Sequence, residues 1–159
     1  MRVALDVNGR HLELDVAAGD TLLEALRASG FSSVKNGCAN GDCGTCAVLL
    51  DGRAVASCLL FVAQAEGRDV TTIEGIAGAD EAYHPLQQTM LDTGGVQCGF
   101  CIPGMILTAA DLLSVNPNPT RAQIARYLVG NLCRCTGYVK QIEAVEAAAA
   151  ILAGEGADG

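Results

Sequence analysis

Residues 36–46 read Asn36-Gly37-Cys38-Ala39-Asn40-Gly41-Asp42-Cys43-Gly44-Thr45-Cys46. Three cysteines stand at x4 and x2 spacing, and a fourth, Cys58, follows after eleven further residues. Gly37, Gly41 and Gly44 let the backbone bend closely and aim N–H groups inward, which suits a loop wrapped around an anionic group. Asp42 is on the wrong side of that electrostatic argument and is expected to face solvent. Outward from this loop lie strand and turn signals. Val3, Leu5 and Val7 alternate, Asn8-Gly9 supplies a tight-turn pair, and Leu12, Leu14 and Val16 alternate again, which predicts a β-hairpin. Gly19-Asp20-Thr21 precedes Leu22, Leu23 and Leu26 at helical spacing, and Gly30 can stop that helix. Cys46–Leu50, Asp51-Gly52 and Ala54–Leu60 predict a second hairpin, and Val70–Ile73 a last strand. Two hairpins around one helix suggest a small mixed sheet with a packed helix.

The pattern changes after about Gly75. Ala77-Gly78-Ala79-Asp80 reads as a linker, and the remainder is helical. One helix is expected over His84–Leu91 with Pro85 near its first turn, ending at Gly94-Gly95. Met105–Leu113 is apolar all round, as in a buried helix. Asn116-Pro117-Asn118-Pro119 breaks the chain. Thr120-Arg121-Ala122-Gln123 is a capping-box pattern for a helix that Gly130 ends. A final helix is expected from about Tyr138 to Leu152, and Gly154–Gly159 reads as a disordered tail. The expected units are thus residues 1–76, 77–153 and the tail 154–159.

Half of the 159 residues are apolar, Trp is absent, and the net charge is −8. Residues 1–76 carry six Lys/Arg against ten Asp/Glu, and residues 77–159 four against eight. Neither half offers the positive footprint that nucleic-acid binding needs. No stretch approaches the roughly 18 apolar residues of a membrane helix. The N-terminus lacks the apolar core of a secretory signal. The expected compartment is cytoplasmic, leaving open export of an assembled complex on a partner's signal.

Structural disulfides are rare in that compartment, so eight cysteines point to metal. Cys38, Cys43, Cys46 and Cys58 match the plant-type ferredoxin spacing for [2Fe–2S]. Structural zinc favours two C-x2–4-C knuckles, and only Cys43-x2-Cys46 has that form here. Cys98-x2-Cys101 with Cys133-x1-Cys135 is less specific, and by spacing alone zinc competes with iron. Position helps. Cys98 and Cys101 precede a helix with Pro103 in its first turn, and Cys133 and Cys135 precede another with Thr136 as its expected N-cap. Helix N-termini favour thiolates and negative clusters.

Other residues invite simpler readings. His11 and His84 are expected at the surface or at a helix cap, because four cysteines already serve each set. Phe100 is expected as core shielding the second set, and Lys140 as a solvated helix residue. Arg134, between two cysteines, suits either tuning of the site or pairing with an acid or a partner. Tyr138 suits either covering the site or facing a partner. No phosphate-loop motif occurs.

Three motifs in order, Asn36–Cys46, then Gln97-Cys98-Gly99-Phe100-Cys101-Ile102-Pro103-Gly104, then Asn131-Leu132-Cys133-Arg134-Cys135-Thr136-Gly137-Tyr138, resemble the iron–sulfur small subunit of xanthine oxidase family molybdenum hydroxylases. The likeness covers about residues 1–152. Ile102, Asn40 and Thr45 are variants within it, none at a cysteine. The resemblance implies an α+β chain. An N-terminal β-grasp, plant-type ferredoxin-like domain would be followed by an all-α four-helix [2Fe–2S]-binding domain. It implies two [2Fe–2S] clusters on Cys38, Cys43, Cys46, Cys58 and on Cys98, Cys101, Cys133, Cys135. It further implies that Gln97 and Cys135 touch a molybdopterin cofactor held by a large partner subunit.

The role implied is electron transfer from that molybdenum site to FAD in a medium subunit, to a cytochrome or to another acceptor. Such a chain is the iron–sulfur subunit of an oxidoreductase and does no substrate chemistry itself. A dimer of heterotrimers or heterodimers is the expected assembly. A free-standing two-cluster ferredoxin and a zinc scaffold are the competing readings. The first predicts a monomer with little exposed apolar surface, the second a colourless protein.

Overall fold

The computed structural model describes residues 1–77 and 83–154. The expected linker beyond Ala77 and the expected tail beyond Gly154 lie outside these residues. The chain begins with strands β1 (Arg2–Val7) and β2 (Arg10–Asp15), followed by helix α1 (Leu22–Ala28). The long cysteine loop leads to β3 (Ala47–Leu50), β4 (Arg53–Ala56) and β5 (Asp69–Thr71). Helices α2 (Pro85–Asp92), α3 (Ile102–Val115), α4 (Arg121–Tyr127) and α5 (Val139–Leu152) complete it.

The five strands form one mixed sheet in the order β2-β1-β5-β3-β4. Both hairpins turn as their sequences predict. Asn8 and Gly9 have φ of 53° and 74°, and Asp51 and Gly52 have 49° and 80°, the left-handed pair that matches the twist of a two-residue hairpin. Register pairs Val3 with Leu14 and Leu5 with Leu12. The alternating Val3, Leu5 and Val7 therefore face inward and are buried. Against them lie Leu22, Leu23 and Leu26 of α1. The N-terminus of α1 is closed by a capping box between Thr21 and Glu24. β1 and β5 run parallel at the sheet centre, so the N-terminal hairpin and the β3–β4 hairpin meet on β5.

Some elements differ from the sequence expectation. The strand expected over Ala54–Leu60 ends at Ala56, and Ser57–Leu59 forms a single 3-10 turn. That turn carries Cys58 into the core, where it is buried. As expected, Pro103 lies in the first turn of α3, which starts at Ile102, three residues ahead of the apolar stretch Met105–Leu113. His84 caps α2, its ring nitrogen accepting from the Leu86 N–H at 3.1 Å. The expected N-cap Thr136 is not one: Tyr138 holds that position for α5. Thr136 lies two residues earlier and spends its hydroxyl on Cys133, Gln141 and the Tyr138 N–H.

The four C-terminal helices enclose a second core around Leu86, Met90, Met105, Ile124 and Val145. Ile73 and Ile76, just beyond β5, pack against it. Helix α3 also packs on β3, and this is where the two cores join. Gly104 in the first turn of α3 sits against the carbonyl of Gly44. The Leu132 N–H donates to the Cys43 carbonyl at 2.9 Å, and Asn131 Nδ2 to the Gly44 carbonyl at 3.3 Å.

A second tie is Asp111, only 4% exposed on α3. Its Oδ2 accepts from the Ala54 N–H at 3.1 Å and the Tyr127 hydroxyl at 2.9 Å. Arg53 Nε lies 3.1 Å from Oδ1. Burial and the Asp111 carboxylate together push the Tyr127 hydroxyl's pKa up. Asp111→Ala leaves an N–H and a hydroxyl without their acceptor and is expected to cost about 3 kcal/mol. Urea denaturation measures this, and a loss under 1 kcal/mol would show that the tie is dispensable.

Candidate metal centres

The first four cysteines converge on the loop between α1 and β3. Ala39, Gly41 and Gly44 have φ of 57°, 88° and 66°, so the loop reverses repeatedly. Gly44 has a second reason to be glycine: a Cβ there would run into the Gly130 carbonyl and Asn131 Nδ2. The loop's N–H groups do turn inward. The Asn40 N–H, with the Cys43 side chain and the N–H groups of Cys43 and Asp42, draws the Cys38 thiol down to about 7. Asp42 faces solvent, as expected, and accepts from Asn40. Cys58 behaves oppositely. Burial, then the neighbouring Cys46 side chain, pushes its thiol up to about 11. The set thus divides into two neighbouring pairs, Cys38 with Cys43 and Cys46 with Cys58. The Thr45 hydroxyl lies 3.2 Å from Cys43 Sγ. Leu59, 64% exposed, covers Gly41 on the outer side.

The second four come from the start of α3 and the loop before α5. Cys101 is the N-cap residue of α3 and is buried, whereas Cys98 and Cys135 are exposed. Again there are two pairs. Cys135 Sγ lies 3.5 Å from Cys98 Sγ, and Cys101 neighbours Cys133. Burial, then Cys133, pushes the Cys101 thiol up to about 11. Burial also opposes ionisation of Cys133, but the Thr136 hydroxyl and the N–H groups of Cys135 and Thr136 outweigh it and bring the thiol to about 7. Pairing with Cys98 raises Cys135. Tyr138 covers this site from inside: its hydroxyl accepts from the Cys133 N–H at 2.8 Å. It holds φ at 69°, a left-handed conformation that costs an L-residue about 1 kcal/mol.

These arrangements can be tested against the group that eight cysteines suggest. Among the described residues, no three or more His, Cys, Asp or Glu side chains converge on one point as a single metal ion requires. Two adjacent sulfur pairs per set suit a two-iron core, in which each iron takes two thiolates. Polar side chains also lie against sulfur: buried Gln141 donates from Nε2 to Cys101 Sγ at 3.6 Å, and the Thr45 and Thr136 hydroxyls lie 3.2 Å from Cys43 Sγ and 3.1 Å from Cys133 Sγ. Such donors stabilise an anionic cluster.

The remaining residues sort as follows. Gln97 is exposed beside Cys98. His11 lies at the surface, 3.0 Å from Asp6. Lys140 pairs with Glu143 on an exposed face. Arg134 is exposed and, among the described residues, forms no ion pair. Phe100 is not core: it is 46% exposed, its ring edge near Gly37. Residue 100 precedes the first turn of α3, so its side chain leaves the helical core rather than entering it. The sequence reading passed over Thr45 and Gln141. Gln141 had a legible signal, since it shares helical spacing with Ala144, Val145 and Ala148 and so lies on the apolar face of α5.

Comparison with known proteins agrees with this geometry. The family model described as "2Fe-2S iron-sulfur cluster binding domain" matches residues 5–72, and the "[2Fe-2S] binding domain" matches residues 72–146. The small subunit of nicotine 6-hydroxylase from Paenarthrobacter nicotinovorans is 42% identical over 91% of this chain and 87% of its own length. The xanthine dehydrogenase iron-sulfur-binding subunit of Escherichia coli O157:H7 is 48% identical over 83% of this chain and 84% of its own. The crystal structure of quinoline 2-oxidoreductase from Pseudomonas putida 86 contains a chain that superposes with a TM-score of 0.91 at 39% identity. The match covers 98% of this chain and 97% of that one.

Proposed function

Since this chain belongs to the iron–sulfur small subunits of the xanthine oxidase family of molybdenum hydroxylases, we propose that its eight cysteines hold two [2Fe–2S] clusters. Cys38, Cys43, Cys46 and Cys58 hold one. Cys98, Cys101, Cys133 and Cys135 hold the other. Its role is electron transfer within an oxidoreductase that has further subunits. When bound, the clusters supply one-electron oxidation and reduction. The chain's own residues fix where that chemistry happens and at what potential.

The carrying observation is that both cysteine sets meet at one packed seam. Leu132, next to Cys133, donates its N–H to the carbonyl of Cys43, so one rigid path joins the two loops. The sets then present different exits. Gln97, Cys98 and Cys135 are exposed and form the face we assign to the molybdopterin cofactor of a large partner subunit, with Gln97 and Cys135 as its contacts. Phe100, Leu132 and Val129, at 46%, 53% and 78% exposure, leave apolar surface on the helical half. A diffusible two-cluster ferredoxin would avoid such a surface, and a subunit that is covered by a partner needs it. The first set's exit, at exposed Leu59 beside Gly41, is assigned to the acceptor, FAD in a medium subunit or a cytochrome.

We keep residues 1–76 and 77–153, with a tail from 154, as the units of this reading; the first core ends at Val70, and Ile73 and Ile76 already pack against the second. No helix among the described residues is long and apolar enough to cross a membrane, and we place the assembled enzyme in the cytoplasm. A dimer of heterotrimers or heterodimers is the assembly this reading favours. Metal and acid-labile sulfide analysis tests the core of it. About four irons and four sulfides per chain are expected. A colourless protein with stoichiometric zinc would refute it.

A further inference from the structure

Gln141 has no exposed surface, although it belongs to the apolar face of α5. Burying a carboxamide costs several kcal/mol unless its polar atoms are bonded. Here Nε2 donates to Cys101 Sγ at 3.6 Å, and Oε1 accepts from the Thr136 hydroxyl at 3.0 Å. Thr136 Oγ1 is in turn 3.1 Å from Cys133 Sγ and accepts the Tyr138 N–H at 3.2 Å. Gln141 and Thr136 therefore bridge the two sulfurs of the inner pair, Cys101 and Cys133. The outer pair, Cys98 and Cys135, is exposed.

We propose that Gln141 is a positioning residue for electron transfer, which raises the reduction potential of the helical-domain cluster through the N–H it gives to Cys101. The proposal rests on the cluster assignment above. One-electron reduction adds one negative charge without breaking a bond, and cysteine sulfur bears part of that charge. A donor aimed at the sulfur stabilises the reduced state more than the oxidised one. With Cys133 as a thiolate, which only accepts, the single proton of Thr136 lies between Cys133 Sγ and Gln141 Oε1. That proton is given to Gln141 Oε1 in the structure, so Gln141→Met is read in a Thr136→Val background, where no freed hydroxyl can turn to Cys133.

The test is a redox titration followed by EPR on the holoprotein, isolated with whatever subunits accompany it. Signals are assigned with Cys43→Ser, which is expected to remove only the first set's cluster. Gln141→Met fills similar volume and donates nothing. It is expected to shift the reduced-to-oxidised ratio of the helical-domain cluster about tenfold toward oxidised, or about 59 mV for a one-electron couple. The other cluster should not move. Gln141→Glu keeps the shape but replaces the donor with a charged acceptor, and is expected to shift the ratio further in the same direction. Either variant holding both clusters at the potentials of its own background overturns the proposal. So does loss of the helical-domain iron from both variants, which would make Gln141 a structural residue only. Iron and sulfide analysis of the native protein separates these outcomes from failure of the cluster assignment itself.

Discussion

Gly104→Ala is expected to destabilise the chain by about 3 kcal/mol and to loosen both cysteine loops at once. On helix propensity alone the change should help, because alanine is favoured over glycine inside a helix by up to about 1 kcal/mol. Packing reverses the sign. A Cβ at residue 104 would collide with the Gly44 carbonyl oxygen and come within 3.2 Å of the Thr45 backbone Cα and C. All of these are main-chain atoms, so no side chain can swing aside. The strain has two outlets: α3 lifts from the sheet, or the loop that carries Cys43 and Cys46 moves. Thermal or urea denaturation measures the loss, and iron content per folded chain measures the damage to the loop. A variant at least as stable as the native protein would show that the seam is looser than its glycine pair implies.

Cys43→Ser is expected to halve the iron content and to abolish one of two EPR signals in a folded chain. A serine hydroxyl is a harder ligand and a far weaker acid than a thiol, so at neutral pH it binds iron much less well than a thiolate. Three sulfurs then remain in the first set. The second set keeps all four, and its tie to residue 43 survives, because Leu132 bonds the main-chain carbonyl and not the sulfur. Loss of both signals from a folded protein would show that the two sets do not form separate sites. Retention of both would remove Cys43 from the ligand set.

Much of the fold was legible because it is written in near neighbours. Asn8-Gly9 and Asp51-Gly52 announce their hairpins through the left-handed conformations these residues tolerate. Thr120 announces its helix through a partner three residues on. The likeness at residues 36–46, 97–104 and 131–138 points to the family by sequence alone. Where neighbours mislead, the cause is competition for the same atoms. Thr136 has the chemistry of an N-cap, but its hydroxyl serves Cys133 and Gln141. Phe100 has the chemistry of a core residue, but its place ahead of α3 turns it outward.

The eight cysteines and their spacing belong to the sequence by itself, because a loop of three thiolates and glycines has few other uses. How those cysteines pair was decided only by the tertiary structure. Cys98 meets Cys135 and Cys101 meets Cys133 across more than thirty residues of chain, with Gln141 and Thr136 behind the inner pair. Gly44 meets Gly104, and Asp111 meets Ala54, for the same physical reason. These contacts join segments whose separation along the chain carries no local periodicity, so they exist only once the helices have packed against the sheet.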